Sequence, residues 1–151
     1  MITIRRMFAD DIPAVLEIEE SLCEAPWSYG IFSDCIRVGY HAWVICDTDI
    51  APEECLIGYG ILAIAADEAH LLNLGIHPQR QSQGLGTSLM QHLLKEAYLA
   101  GVSSIFLEVR VSNDKAFQLY QRLGFSVIGH RKDYYQDARG LEDALVLGLV
   151  F

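Results

Sequence analysis

The sequence has no long apolar run and no signal-like start, and these two absences exclude whole classes of protein. No apolar run reaches the roughly 18 residues that a membrane helix needs, so the sequence predicts no membrane span. No basic segment followed by an apolar one opens the chain, because Asp10 and Asp11 come too early for a secretory signal. We therefore expect a cytoplasmic protein that does not bind a membrane.

Cysteine is scarce, and its four copies lie far apart. Cys23, Cys35, Cys46 and Cys55 form no CxxC pair and fall within apolar or amphipathic stretches. This spacing favours free, mostly buried thiols in a reducing cytoplasm over a zinc site. The histidines also lack the spacing of metal ligands, so we expect no metal. They are His41, His70, His77, His92 and His130.

Basic residues are few, 11 against 20 acidic ones, which gives a formal net charge of −9. Residues 1–75 hold 13 acidic and 3 basic residues, a charge of −10, whereas residues 76–151 hold 7 and 8. The acidic balance argues against nonspecific binding to nucleic acid, which needs a basic face. The acidic half would attract a cationic partner, although acids that only keep the protein soluble explain the excess equally well.

The chain is long enough for one domain with a proper core, at 151 residues of which 52% are hydrophobic. No repeat, linker or low-complexity segment divides residues 1–151. Apolar periodicity predicts the order β-α-α-β-β-β-α-β-α-β-β. That order predicts an α/β fold with a mixed seven-stranded sheet and helices on both faces. We expect a monomer, because no long exposed apolar stripe stands out.

Three local expectations follow from the same reading. The first helix should run to about residue 23, with Glu17, Glu19 and Glu20 facing solvent. The last two strands should span residues 125–135 and 143–151 around a turn at 136–140. Gly75, just before a strand end, indicates a bulge or the close approach of a ligand to the backbone.

A polar loop at residues 77–87 carries two glycines at the point where a helix must begin. The first N–H groups of a helix have no partner inside it and lie at the positive end of its dipole. Glycines let a ligand approach that backbone, so the loop predicts a site for a phosphate or pyrophosphate. Its pattern is QxxGxG, formed by Gln81, Gly84 and Gly86, and it is neither a Walker loop nor a dinucleotide fingerprint. On local evidence an ordinary strand-to-helix loop explains it equally well.

Two residues are candidates for acid–base chemistry, and each has an ordinary structural explanation. Glu108 shares one face of a strand with Phe106 and Arg110, and spacing alone favours an ion pair between Glu108 and Arg110. Tyr120 follows on the next helix, where a core tyrosine with a bonded hydroxyl is the simpler interpretation. Asn113 is well placed to cap that helix.

The element order, with QxxGxG opening the third helix, resembles the GCN5-related N-acetyltransferase (GNAT) family over the whole chain. The second half is similar to the RimI branch of that family, and the first half matches more loosely. The chain departs from the branch in the turn between Cys46 and Cys55 and in Gln81-Ser82-Gln83, where Arg or Lys is common. The serine leaves the backbone cradle intact but removes one possible cation. The matching segments are Asn73-Leu74-Gly75-Ile76-His77-Pro78, Leu107-Glu108-Val109-Arg110, Ser112-Asn113, Leu119-Tyr120, Leu123-Gly124-Phe125, Tyr134-Tyr135, Glu142-Asp143-Ala144 and Pro26-Trp27-Ser28.

The resemblance implies acetyl-CoA as donor and direct transfer to an amine. By position, Glu108 matches the RimI general base and Tyr120 the general acid, with Tyr134 as a lesser candidate for the acid. Asn113 matches a cofactor contact, and the pantetheine arm is expected to pair like an added strand with Leu74, Gly75 and Ile76. The pyrophosphate is expected on the backbone of Ser82, Gln83, Gly84, Leu85, Gly86 and Thr87.

Three functions remain open at this stage. RimI enzymes acetylate the N-terminal alanine of ribosomal small-subunit protein eighteen, so the leading interpretation is a protein N-terminal acetyltransferase with a basic protein N-terminus as partner. The others are an acetyltransferase of a small amine, such as a polyamine or an aminoglycoside, and a noncatalytic acyl-CoA-binding module. The segments Tyr134-Tyr135 and Pro26-Trp27 favour a peptide, because aromatic rims suit an extended chain. The acids expected along the acceptor groove are Glu17, Glu19, Glu20, Glu24 and Asp34.

Overall fold

Seven strands form one mixed sheet, and the computed structural model describes all of residues 1–151. The strands are β1 Ile2–Arg6, β2 His41–Asp47, β3 Leu56–Ala65, β4 Glu68–Ile76, β5 Ser104–Arg110, β6 Ser126–Asp137 and β7 Gly140–Val150. The helices are α1 Ile12–Leu22, α2 Tyr29–Arg37, α3 Leu85–Leu99 and α4 Asp114–Arg122. The predicted element order is confirmed. No helix combines the length and the apolar character that crossing a membrane requires.

Alternation along the strands divides the interior into two cores, one on each face of the sheet. On one face Val44, Tyr59 and Ile61 pack against α1 and α2. On the other face Ile45 and Leu107 pack against α3 and α4. Helices therefore cover both faces, as the sequence predicted.

The closing hairpin is tighter than expected. β6 ends at Asp137 and β7 begins at Gly140. The turn therefore has two residues, 138 and 139, whereas the sequence predicted a turn at 136–140. The predicted strand bounds were wrong because the ladder shifts register between Arg131 and Tyr135, and pairing resumes beyond that irregularity. The extended hairpin carries Tyr134 and Tyr135.

Glu19 is buried, and the expectation that it faces solvent was wrong. Its side chain is 2% exposed and joins three elements. Oε1 accepts from the Tyr59 hydroxyl at 2.6 Å and from Asn73 Nδ2 at 3.0 Å, and Oε2 accepts from the Trp27 backbone N–H at 2.9 Å. The carboxylate thus ties α1 and the α1–α2 loop to the centre of the sheet, and the strength of charge-assisted hydrogen bonds compensates its burial.

β4 is irregular where it turns away from β5. Its register against β3 shifts so that Ile61 faces Asn73 and Leu62 faces Leu71, which leaves Leu72 as the extra residue of a β-bulge. A bulge was expected near Gly75, but the glycine has another cause. A Cβ on Gly75 would lie 2.5 Å from the Tyr59 hydroxyl, so the ring of Tyr59 occupies the space that a side chain would need.

Candidate active site

A gap opens between β4 and β5, and we call it the β4–β5 gap. The two strands pair in parallel over only three residues each, ending with His70 opposite Phe106. Beyond that pair β4 continues to Ile76 and β5 to Arg110 with no ladder between them. The sheet is therefore open at its centre, between elements that are otherwise fully paired.

The edge of β4 that faces this gap has free backbone groups. The His77 N–H donates to the Ile57 carbonyl at 2.8 Å, and antiparallel alternation then directs the groups of Gly75 toward β3. The same alternation directs the N–H and C=O of Leu74 and Ile76 into the gap. Of the three residues expected to pair with a pantetheine arm, Leu74 and Ile76 present their backbone to the gap, whereas Gly75 does not.

Gln81, the first residue of the QxxGxG pattern, links the loop to this edge. Its Nε2 donates to the Ile76 carbonyl at 3.1 Å, and its Oε1 accepts from Lys115 Nζ at 3.2 Å. The pattern therefore fixes the loop to β4 on one side and to α4 on the other. Sequence reasoning missed Lys115, although its position two residues after Asn113, in the first turn of α4, was a usable signal.

The loop ends in a helix start with open donors. Ser82 and Gly84 have positive φ values, 63° and 80°, and Gly84 is the N-cap of α3. The Ser88 N–H donates to the Gly84 carbonyl at 3.0 Å, so the N–H groups of Leu85, Gly86 and Thr87 precede the first helical hydrogen bond. They form the kind of backbone cradle that binds phosphate at a helix N-terminus. Ser82 adopts a left-handed backbone conformation, which costs a non-glycine residue about 1–2 kcal/mol. Such strain is typical of turns with a functional role.

Gly86 has no structural reason to be glycine. A Cβ there would lie 3.6 Å from Leu119 Cδ2 and 3.8 Å from Ile76 Cγ1, both ordinary contacts. Since the protein itself leaves room for a side chain, the glycine is best explained by a ligand that approaches the first turn of α3.

Arg80 is the cation next to this loop, but it already has partners. Its Nη2 donates to Asp47 Oδ2 at 3.0 Å, and its Nε donates to Gln83 Oε1 at 3.2 Å. Asp47 belongs to the end of β2, where the chain departs from the RimI pattern. The departure thus supplies a carboxylate that fixes Arg80, whereas Lys115 stands beside the loop in place of the cation missing at Ser82.

Glu108 lies at the gap and does not pair with Arg110. Its side chain is 6% exposed, and Oε2 lies 2.6 Å from His70 Nε2. Oε1 has no hydrogen-bond partner, and the nearest cation is Arg131 at 3.8 Å. Arg110 donates instead to Glu142 and Asp137, each at 2.9 Å, so the ordinary explanation of Glu108 as a partner of Arg110 was wrong. One carboxylate oxygen is therefore free to accept a proton.

Tyr120 is buried in the α3–α4 core, and its ring meets Phe125 edge-on at 5.7 Å. No protein group bonds to its hydroxyl, contrary to the ordinary expectation of a bonded core tyrosine. Burial raises the pKa of Tyr120 above its usual value, so the hydroxyl holds its proton at neutral pH. Tyr134, the lesser candidate, is 44% exposed and lies beneath the Arg131 guanidinium, 5.3 Å from its ring centre.

Asn113 caps α4, as its sequence position suggested. Its Oδ1 accepts from the Ala116 N–H at 3.1 Å, which leaves only the side-chain N–H₂ for another ligand. α4 also approaches the glycine loop through Leu119, which lies next to Gly86. The helix that carries Tyr120 therefore packs beside the first turn of α3, on the face of the sheet that α3 covers.

Aromatic and charged groups surround the side of the gap nearest the β6–β7 hairpin. Tyr134 and Tyr135 meet edge-on at 5.0 Å, and the Arg110 guanidinium stacks 4.3 Å from the Tyr135 ring centre. Burial raises the pKa of Tyr135 to about 12. Glu24, in the α1–α2 loop, reaches Arg139 of the hairpin turn at 3.6 Å, so these two segments approach each other across this side.

The family match and the sequence relatives of this chain indicate the same family. Residues 3–125 match the Acetyltransferase (GNAT) family. The chain is 34% identical over 149 residues to the [ribosomal protein bS18]-alanine N-acetyltransferase of Salmonella typhimurium, covering 99% of this chain and 97% of that protein. It is 32% identical over 148 residues to the enzyme of the same description from Haemophilus influenzae, covering 97% of each.

Solved structures agree in fold. The crystal structure of the ribosomal-protein-S18-alanine N-acetyltransferase from Escherichia coli superposes with a TM-score of 0.90 at 34% identity, covering 99% of this chain and 94% of that one. Arabidopsis thaliana NAA60, solved in complex with acetyl-CoA, has the same fold with a TM-score of 0.88 at 17% identity, covering 100% and 99%. Because the family matches residues 3–125 and the relatives are similar in sequence over nearly the whole chain, this chain belongs to the GNAT family of acetyltransferases.

Proposed function

We propose that residues 1–151 act as one GNAT domain that transfers the acetyl group of acetyl-CoA to the N-terminal α-amine of a protein. The acceptor we propose is an alanine-initiated ribosomal protein, small-subunit protein eighteen, in the cytoplasm. The observation that carries the proposal is the unbonded Oε1 of buried Glu108 at the edge of the β4–β5 gap. The acceptor named for relatives that are 34% identical over nearly the whole chain supports it.

The donor would lie along β4 and reach the helix start. Leu74 offers its N–H and C=O, and Ile76 offers its N–H, to the amides of an extended pantetheine arm, as an added strand would use them. The Ile76 carbonyl already accepts from Gln81. The N–H groups of Leu85, Gly86 and Thr87 would bind the pyrophosphate, with Lys115 beside the loop as a nearby cation. This course brings the thioester end of the donor into the gap beside Glu108.

Proton transfer is assigned to two side chains. A free α-amine has a pKa of about 8, so much of it is protonated at neutral pH and cannot attack. Glu108 Oε1 accepts the amine proton, the nitrogen attacks the thioester carbonyl, and the carbon–sulfur bond breaks as the carbon–nitrogen bond forms. Tyr120 donates its hydroxyl proton to the departing thiolate, and the new amide nitrogen releases its remaining extra proton to solvent. Solvent then takes the proton from Glu108 and returns one to Tyr120.

Tyr120→Phe should lower kcat by about 10–100-fold, a smaller loss than a general base would give because a thiolate is a good leaving group. The melting temperature should not fall, since the hydroxyl makes no hydrogen bond that the substitution would remove. Steady-state kinetics and thermal unfolding of Tyr120→Phe check this, with Tyr134→Phe as the matched control. A larger loss of kcat in Tyr134→Phe would assign the acid to Tyr134.

Charge is the basis for the proposed acceptor. Residues 1–75 carry a formal charge of −10, and Glu17, Glu20 and Glu24 are exposed on α1 and in the loop that follows it. Glu19 drops out of this set because it is buried. Attraction between such exposed charges and a cationic peptide acts on encounter and is screened over about 8–10 Å at physiological salt.

The KM for an alanine-initiated peptide followed by several arginines should therefore rise with ionic strength, with kcat little changed. The KM for a neutral alanine-initiated peptide of equal length should rise much less. Initial-rate measurements on both peptides at several salt concentrations test this. Equal salt dependence for both would remove the acidic half from acceptor recognition.

One assay separates the three possible functions. Each acceptor, the basic peptide or a free polyamine, is incubated with acetyl-CoA, and release of CoA is followed. We expect faster turnover of the peptide. Faster turnover of the polyamine would establish the small-amine alternative, and tight acetyl-CoA binding without turnover of either acceptor would indicate a binding module.

A further inference from the structure

His70 lies at the point where β4 and β5 separate, in the last pair of their ladder. Its ring stacks on Phe106 of the neighbouring strand, with centroids 4.2 Å apart and planes 16° from parallel. The side chain is 29% exposed, so the ring forms part of the wall of the gap. The stack fixes the plane of the imidazole and therefore the direction in which its nitrogens point.

The short contact between His70 and Glu108 constrains the proton. Nε2 and Oε2 are 2.6 Å apart, a distance that requires a hydrogen between them. A general base must be ionised, and an ionised carboxylate only accepts, so in the proposed role of Glu108 the His70 Nε2 carries the proton and donates it to Oε2. The two oxygens of Glu108 are therefore distinct, since Oε2 is occupied by His70 and Oε1 is unbonded.

A cation, Arg131, competes with His70 for this carboxylate. Arg131 Nη2, on β6, lies 3.8 Å from Oε1, beyond hydrogen-bonding distance, and its guanidinium stacks over Tyr134. A buried carboxylate without another donor would rotate toward that guanidinium and form a full ion pair, which would leave neither oxygen free. The bond to His70 opposes this rotation because it holds Oε2 on the β4 side.

We propose that His70 is a positioning residue for the general base, and the inference rests on the proposed role of Glu108. His70 donates from Nε2 to Oε2, holds the carboxylate away from Arg131, and leaves Oε1 directed into the gap to accept the proton of the acceptor amine. Sequence reasoning placed His70 only among histidines without metal-ligand spacing. Its polar side chain within the apolar strand 68–76 was the available signal.

Three substitutions at His70 separate the effect of hydrogen-bond donation from the effect of side-chain shape. In glutamine the side-chain nitrogen is three bonds from Cβ, as Nε2 is in histidine, whereas in leucine no donor remains. His70→Leu should lower kcat by about 10–100-fold, the loss that a misplaced catalytic group produces, without changing the KM for acetyl-CoA. His70→Gln should recover most of that loss. His70→Asn, whose nitrogen is one bond shorter, should not.

A double-mutant comparison tests whether His70 acts through Glu108. In a Glu108→Gln background, His70→Leu should cause no further loss of kcat. Two results would overturn the positioning role while leaving Glu108 as the base. One is a double variant whose loss of kcat equals the product of the two single losses, and the other is equal kcat in His70→Leu and His70→Gln. If Glu108→Gln alone retained full activity, the proposed role of Glu108 as the base would fail, and His70 would have no base to position. Thermal unfolding of each variant confirms that all are compared in the folded state.

Discussion

Glu108→Gln should lower kcat by about 10²–10⁴-fold, the usual contribution of a positioned general base. Glutamine has nearly the same shape and still accepts a hydrogen bond from His70, but its amide cannot take up the amine proton. Affinity for acetyl-CoA should not change, because the groups expected to hold the donor belong to β4, the glycine loop and α4. The loss of kcat should shrink at high pH, where the acceptor amine deprotonates without help.

A pH–rate profile of both proteins with one peptide acceptor measures this effect. Glu53→Gln, an exposed acid-to-amide change in the turn before β3, is the matched control and should behave like the unmodified chain. Profiles of equal height and shape for the unmodified chain and Glu108→Gln would make Glu108 a structural residue of the sheet.

Gly86→Val should weaken acetyl-CoA binding on the order of 100-fold, because hydrogen bonds to a charged group contribute about 1.5–3 kcal/mol each and the side chain would hold the pyrophosphate away from several of them. The protein should stay folded, since a Cβ at this position meets only ordinary contacts. Titration calorimetry with acetyl-CoA on the folded variant measures the change.

Gly30→Val is a close control, because Gly30 is the second residue of α2 just as Gly86 is the second residue of α3, and it too has room for a Cβ. It should bind acetyl-CoA normally. Gly84 needs a different substitution, since its φ of 80° strains any branched residue. Gly84→Asn tolerates that conformation and still adds a side chain to the loop. Unchanged affinity in both Gly86→Val and Gly84→Asn would remove the loop from the donor site.

Local patterns in the sequence predicted the fold because apolar periodicity, caps and glycines act over a few residues. Ser28 and Asn113 cap their helices as such patterns indicate, with side-chain oxygens that accept from Ile31 and Ala116. Glu19 also had a signal that the sequence reading overlooked. It follows Val15 by four residues, on the face of α1 that is buried.

The contacts that define the candidate site join residues distant in the chain, and no local pattern encodes them. His70 meets Glu108 across a parallel ladder of only three pairs, and β4 has a bulge at Leu72, just beyond that ladder. Arg110 donates to carboxylates on β6 and β7, not to Glu108 on its own strand. The spacing of residues on β5 alone therefore predicted the wrong partner for Glu108. The roles of Glu108, Tyr120 and the loop were accessible from the sequence only through the family resemblance.

The most direct measurement is the position of the acetyl group on a peptide product. An alanine-initiated peptide that also contains lysine is incubated with the protein and acetyl-CoA, and the product is sequenced by tandem mass spectrometry. The proposed function predicts one acetyl group, on the alanine α-amine, and no reaction when that amine is blocked in advance. Acetylation of the lysine side chains, or turnover of the blocked peptide, would contradict the assignment of this chain as an N-terminal acetyltransferase.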